Sequence, residues 1–185
     1  RILPAFYGYP TTAPRRSLAL LAGIQLGLLG ECVGFVLMRT SGHVWAALWY
    51  PSVIVLAVSA LGMAGGLGLH RRTDRPDRSL KFIRTAYVWL AISLGMLVLL
   101  PAYQFGVLRA LAPESAAAEM GFSHAYYGAV RHAITVGFIS LMIVGVSSKV
   151  VPRFRGIDAA TLPALWVPYA LINLGCALRV SLQTL

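Results

Sequence analysis

Apolar residues fall in five long stretches, 17–38, 44–69, 85–108, 126–150 and 162–180, separated by polar segments. Each is long enough, at 1.5 Å per residue, to cross about 30 Å of hydrocarbon as a helix. None alternates with the period of two that marks a membrane barrel strand. The pattern predicts an all-α fold, a polytopic transmembrane helical bundle of five spans, with residues 1–185 as one membrane domain. Pro51, Pro101, Pro163 and Pro168 are expected near span ends or in first turns, where a lost N–H matters less. Gly23, Gly27, Gly30 and Gly34 recur at a spacing that suits close helix contact, although the pattern alone is weak evidence for dimerisation.

Composition agrees with that picture, because 58% of residues are hydrophobic and only 12% charged, against about a quarter charged in soluble domains. The net charge of +10 is confined to span ends, which argues for topology and against nucleic-acid binding. Arg1, Arg15 and Arg16 precede the first span; Arg71, Arg72, Arg75, Arg78, Lys81 and Arg84 follow the second; Lys149, Arg153 and Arg155 follow the fourth. With alternating spans these lie on one face, while the other face holds Arg39, Arg109, Arg131 and Arg179. The N-terminus and the Arg71–Arg84 connection of this multi-pass protein are therefore read as cytoplasmic. That connection either engages acidic lipid or a partner, or simply sets topology; Asp74 and Asp77 interrupt it and favour the latter. On the outer side Pro113-Glu114 is expected to open a short helix continued by Ala116–Met120. Cys32 and Cys176 both lie in apolar spans and do not form a disulfide framework.

An internal echo is present. Lys149-Val150-Val151-Pro152-Arg153-Phe154-Arg155-Gly156 repeats the order of Arg1-Ile2-Leu3-Pro4-Ala5-Phe6-Tyr7-Gly8, and Asn173-Leu174-Gly175 repeats Gln25-Leu26-Gly27 at the same offset. In the second copy the motif should end one span and turn into the next, so the first copy implies a span before Arg1 and a four-helix repeat. Such a repeat resembles, in architecture alone, the heme-copper oxidase core subunit with its three arcs of four helices.

The residue with most chemical content is His132, expected about seven residues into the fourth span, roughly 10 Å deep. Neutral imidazole is the commonest metal ligand, yet a membrane histidine also serves simply to bond a neighbouring helix. His124, eight residues earlier, stands about 12 Å higher and about 80° round the helix, so the two cannot share one ion on a straight helix. His43, at the outer start of the second span, sits at the right level to meet a ligand from another helix; His70 beside Arg71 reads as solvated. Bis-histidine heme ligation draws imidazoles from two helices, so His132 with His43, or with a residue of the absent span, is a candidate pair. Arg131 either pairs with a heme propionate or snorkels to the interface, and Arg39 has the same two readings. Glu31 and Arg179 occupy equivalent repeat positions with opposite charge; the Glu31 carboxylate reads as half of an ion pair, a hydrogen-bonded group, a proton relay or a metal ligand.

The sequence holds no Cys-x-x-Cys-His, no Cys-x-x-Cys, no Walker loop and no consecutive His-His of an oxidase binuclear centre. The run Arg131-His132-Ala133-x-Thr135-Val136-Gly137-Phe138-x-x-Leu141-Met142-Ile143-x-Gly145, followed by Lys149-x-x-Pro152-x-Phe154-x-Gly156, resembles the NnrS family of membrane proteins linked to bacterial nitric oxide responses. Leu171-Ile172-Asn173-Leu174-Gly175-Cys176-Ala177-Leu178-Arg179-Val180 is similar to that family as well, so the likeness covers residues 124–180. Family members have about twelve spans with bound heme and copper; five spans make this chain a part, or a truncated relative, of such a protein. The resemblance implies a b-type heme first and copper second, with His132 as ligand ahead of His124 and His43. The implied role is nitric oxide handling or membrane electron transfer, with no catalytic cycle specified. The alternatives are a heme-bearing or core-like subunit of a respiratory complex with cytochrome partners, and a cofactor-free scaffold or transporter subunit.

Overall fold

The computed structural model describes residues 7, 13–68, 77–115, 122–158 and 161–184. They form five helices: α1 (Pro14–Thr40), α2 (His43–Gly66), α3 (Leu80–Leu111), α4 (His124–Phe154) and α5 (Trp166–Thr184). The first four are long and apolar enough to cross a membrane, and no strand occurs among the described residues. The fold is the all-α bundle that the apolar pattern predicts. The first motif copy apart from Tyr7, together with His70, Arg71, Arg72, Arg75 and the 116–120 segment, lies outside the described residues. Pro113-Glu114 itself forms a turn, closed by the Ser115 N–H on the Ala112 carbonyl. The chain divides into two compact units, residues 1–74 and 75–185.

The first unit contains the α1–α2 hairpin. Gly23, Gly27, Gly30 and Gly34 lie on one face of α1 and meet Ser59, Leu56, Ser52 and Trp49 of α2. A methyl on Gly27 would stand 2.6 Å from the Leu56 backbone nitrogen, and one on Gly34 would stand 2.8 Å from that of Trp49. The two backbones are thus in contact, which only glycine permits. The small-residue stripe therefore acts within the chain. Gly42 turns the hairpin at φ 108°, the left-handed region that glycine occupies without strain. Leu18, Leu26, Leu29 and Val33 cover the rest of α1 and are exposed, as side chains facing lipid would be.

The second unit packs α3, α4 and α5 around Phe82, Ala86, Trp89, Ala129, Ala133, Leu141, Cys176 and Val180. Gly145 lets α4 approach Ile83 and Phe82, and Gly137 lies under the Trp89 indole, where a methyl would stand 2.5 Å from Cγ. Polar groups between α3 and α5 satisfy one another: Trp89 Nε1 donates to Asn173 Oδ1 at 2.8 Å, and the Thr85 and Tyr169 hydroxyls meet at 2.8 Å. Such bonds in a membrane are worth about 0.6 kcal/mol each on average, so close packing contributes more to holding the helices together.

Two helices widen locally into π-turns. In α3 the wide turn Tyr103–Val107 follows Pro101, which lacks an N–H and crowds the preceding turn. Pro101 sits deeper than the sequence suggests because α3 runs on to Leu111. In α4 the stretch Ala133–Ser140 is a π-helix bracketed by hydroxyls: Thr135 Oγ1 donates to the Arg131 carbonyl at 2.8 Å, and Ser140 Oγ to that of Thr135 at 3.0 Å. The Ser123 hydroxyl caps the start of α4 by accepting the Tyr126 N–H at 3.2 Å.

The repeated motif does end α4 as expected. The Gly156 N–H donates to the Arg153 carbonyl and the Ile157 N–H to that of Pro152, a Schellman arrangement with Gly156 at φ 66°. At this end basic side chains staple the three helices. Lys149 pairs with Asp77 at 2.7 Å, Arg78 donates to the carbonyls of Ser148 and Pro163, and Lys81 donates to that of Ala164 while lying 3.8 Å over the Trp166 ring. Burial pushes the Asp77 carboxyl up, but bonds from Lys149 and Ser79 and the Lys149 charge outweigh it and hold the group below its ordinary range. Cys32 is an exposed thiol and Cys176 a buried one, both free.

Candidate functional site

His132 is the ninth residue of α4, half-buried, and the last residue before the π-stretch. Its Nδ1 lies 3.1 Å from the Gly128 carbonyl, one turn back in the same helix. A carbonyl only accepts, so Nδ1 is the donor in that bond, and the tautomer that carries its single proton on Nδ1 keeps the lone pair on Nε2. A metal-ligating imidazole is commonly prepared in this way, with its second nitrogen fixed by a carbonyl. No bond from the His132 imidazole to a side chain of another helix occurs among the described residues.

The other candidates do not gather round it. His124 is exposed in the first turn of α4, edge-on to the Phe122 ring at 4.9 Å. It stands about 12 Å along the helix from His132, too far to share one ion. His43 is exposed in the first turn of α2 and belongs to the first unit, whereas His132 belongs to the second. Arg131 is exposed and rests its guanidinium 4.7 Å over the Tyr127 ring; as the residue next to His132 it projects about 100° round the helix. Glu31 is half-buried in α1, where the Cys32 thiol approaches its carboxylate at 3.6 Å; Arg179 is exposed on α5. Among the described residues no group of three or more His, Cys, Asp or Glu side chains converges as a metal-binding cluster.

Three groups near His132 escape a reading of residue types. Gly128 is its acceptor, and the Gln183 carboxamide of α5 packs on that glycine. The Cys176 thiol approaches the His132 carbonyl at 3.7 Å. The available signal was positional: Tyr169, Asn173, Cys176 and Val180 form a single α5 stripe at i, i+4, i+7 and i+11 that faces the unit's core.

The arrangement offers one oriented imidazole lone pair within an apolar span. A scan against protein-family models finds no match to this chain, and neither a search of curated proteins nor a search of solved structures returns one.

Proposed function

We propose that this chain is an NnrS-like integral membrane heme protein of a bacterial inner membrane, acting in the nitric oxide response or in membrane electron transfer. The observation that carries the reading is the His132 ring, with Nδ1 committed to Gly128 and Nε2 left to bond outside its own helix. His132 would hold a heme iron through its Nε2. A b-type heme held there would supply one-electron chemistry and an affinity for nitric oxide. The chain's own part is to fix the ring, exclude water through the apolar faces of α3–α5, and present lipid-facing spans. Copper, and ligand roles for His124 and His43, belong to the same proposal; both histidines are exposed in first helical turns.

The rival scaffold or transporter reading needs His132 only as a bond to a neighbouring helix. Its bond to its own helix weighs against that role. The test is a reduced-minus-oxidised absorption spectrum of the detergent-purified chain beside His132→Ala and His124→Ala. A b-type signal lost in His132→Ala and retained in His124→Ala is expected. Full-length protein with no heme signal, or a signal unchanged in His132→Ala, would overturn the proposal.

A further inference from the structure

We propose that Cys176 is a positioning residue for His132, with its thiol built into the wide turn that sets the direction of the imidazole. In a π-helix the carbonyl of residue i faces the N–H of residue i+5, so His132 and Gly137 are the two ends of the first wide step. Cys176, 1% exposed, holds the first of them: its thiol donates to the His132 carbonyl, with Sγ 3.7 Å from the oxygen. A side chain inserted into the backbone ladder is one of the few recognised causes of local helix distortion. The same α5 stripe holds Asn173, which fixes the Trp89 indole, and that indole packs on Gly137. One end of the wide step is thus gripped by α5 directly, and the other by α5 through α3.

The consequence is angular. A π-turn accommodates one extra residue, and one residue of α-helix turns the chain by about 100°. The α4 segment beyond Ser140 is anchored where Gly145 meets Ile83 and Phe82. If the wide step closed to ordinary α-geometry, the anchored end would stay and His132 would swing by about 100°.

This inference rests on His132 being a heme ligand, so the experiment reads the turn and the ligand separately. Cys176→Ala removes the contact to the His132 carbonyl, and Cys176→Ser retains a donor. Hydrogen exchange of the 133–140 amides in the detergent-purified chain reads the turn; heme affinity and the electron paramagnetic resonance signature of the ferric form read the ligand. The expected result for Cys176→Ala is faster exchange, a shifted signature and affinity weaker on the order of 10- to 100-fold, the loss typical of outer partners of metal-bound histidines. Cys176→Ser should stand close to the parent in all three. Unchanged exchange in Cys176→Ala overturns the proposal whatever the heme does. Faster exchange with an unchanged signature also overturns it, while leaving His132 as ligand. A parent chain without heme removes the functional reading and the positioning role with it, and exchange would still report the hold of the thiol on the turn.

Discussion

Gly27→Ala places a methyl 2.6 Å from the Leu56 backbone nitrogen and 2.8 Å from its Cα, where ordinary contact begins at 3.4 Å. The helices must therefore part by about 0.8 Å at that crossing, because the obstacle is backbone and no side-chain rotation relieves it. Two effects compete. Alanine is favoured over glycine within a helix by about 0.8–1.0 kcal/mol. Over-packing typically costs about 1–3 kcal/mol, and a backbone clash belongs in the upper part of that range. The net expectation is a loss of about 1–2 kcal/mol. Gly175→Ala on α5 isolates the first effect, since nothing lies within 4 Å of its added methyl; it should be neutral or stabilising. Gly34→Ala needs a smaller displacement, against Trp49 at 2.8 Å. One outward shift of α2 relieves both clashes, so the Gly27→Ala/Gly34→Ala double variant should lose less than the sum of the singles. Unfolding in mixed micelles titrated with dodecyl sulfate, followed by tryptophan fluorescence, measures all four. Gly27→Ala matching Gly175→Ala in stability, or strictly additive losses, would refute the contact geometry.

Trp89→Phe should lower stability by about 1–2 kcal/mol in the same assay, because it leaves the Asn173 Oδ1 without its 2.8 Å donor inside the bundle. The Asp77 carboxyl is held below its ordinary range, so it contributes stability above the unfolded value of about 3.9 and loses it as pH falls through the lower folded value. Asp77→Asn should therefore flatten the acid limb of an unfolding-midpoint profile below about pH 4 while lowering the plateau above it. Gly137→Ala should displace the Trp89 indole, with its methyl 2.5 Å from Cγ, and shift the tryptophan emission; an unchanged spectrum would contradict the packing.

Much of the architecture was legible because a bilayer imposes a coarse demand that composition meets directly. The stretch 126–150 appears as His124–Phe154, and 44–69 as His43–Gly66. The residual errors lie where polar residues join helices: Ser123 caps α4 three residues before its apolar run, and Leu80–Arg84 extends α3 below its run, beside the Asp77–Lys149 pair. The basic Arg78, Lys81 and Lys149 read as topology signals, and they also bind carbonyls and a carboxylate within the fold. At the candidate site His132 stood out through the cost of a polar ring in hydrocarbon. The wide turn beside it did not. No residue type specifies a π-step, and the thiol that meets its first carbonyl stands forty-four residues later in the chain.

The difference between the two units has a consequence for biogenesis. The α1–α2 hairpin is held by neighbours in sequence through backbone contact, so it can close once Gly66 has entered the bilayer. The second unit closes only in part before α5: α4 meets α3 at Gly137 and Gly145, but several polar groups of α3 still lack their partners. Trp89 finds its acceptor on Asn173, Thr85 its partner on Tyr169, and Lys81 and Arg78 theirs on Ala164 and Pro163. Until α5 arrives, α3 holds an indole N–H and a hydroxyl toward lipid without those partners. That interval, between insertion of the fourth helix and the fifth, is when the nascent chain most needs a shielding insertase or chaperone.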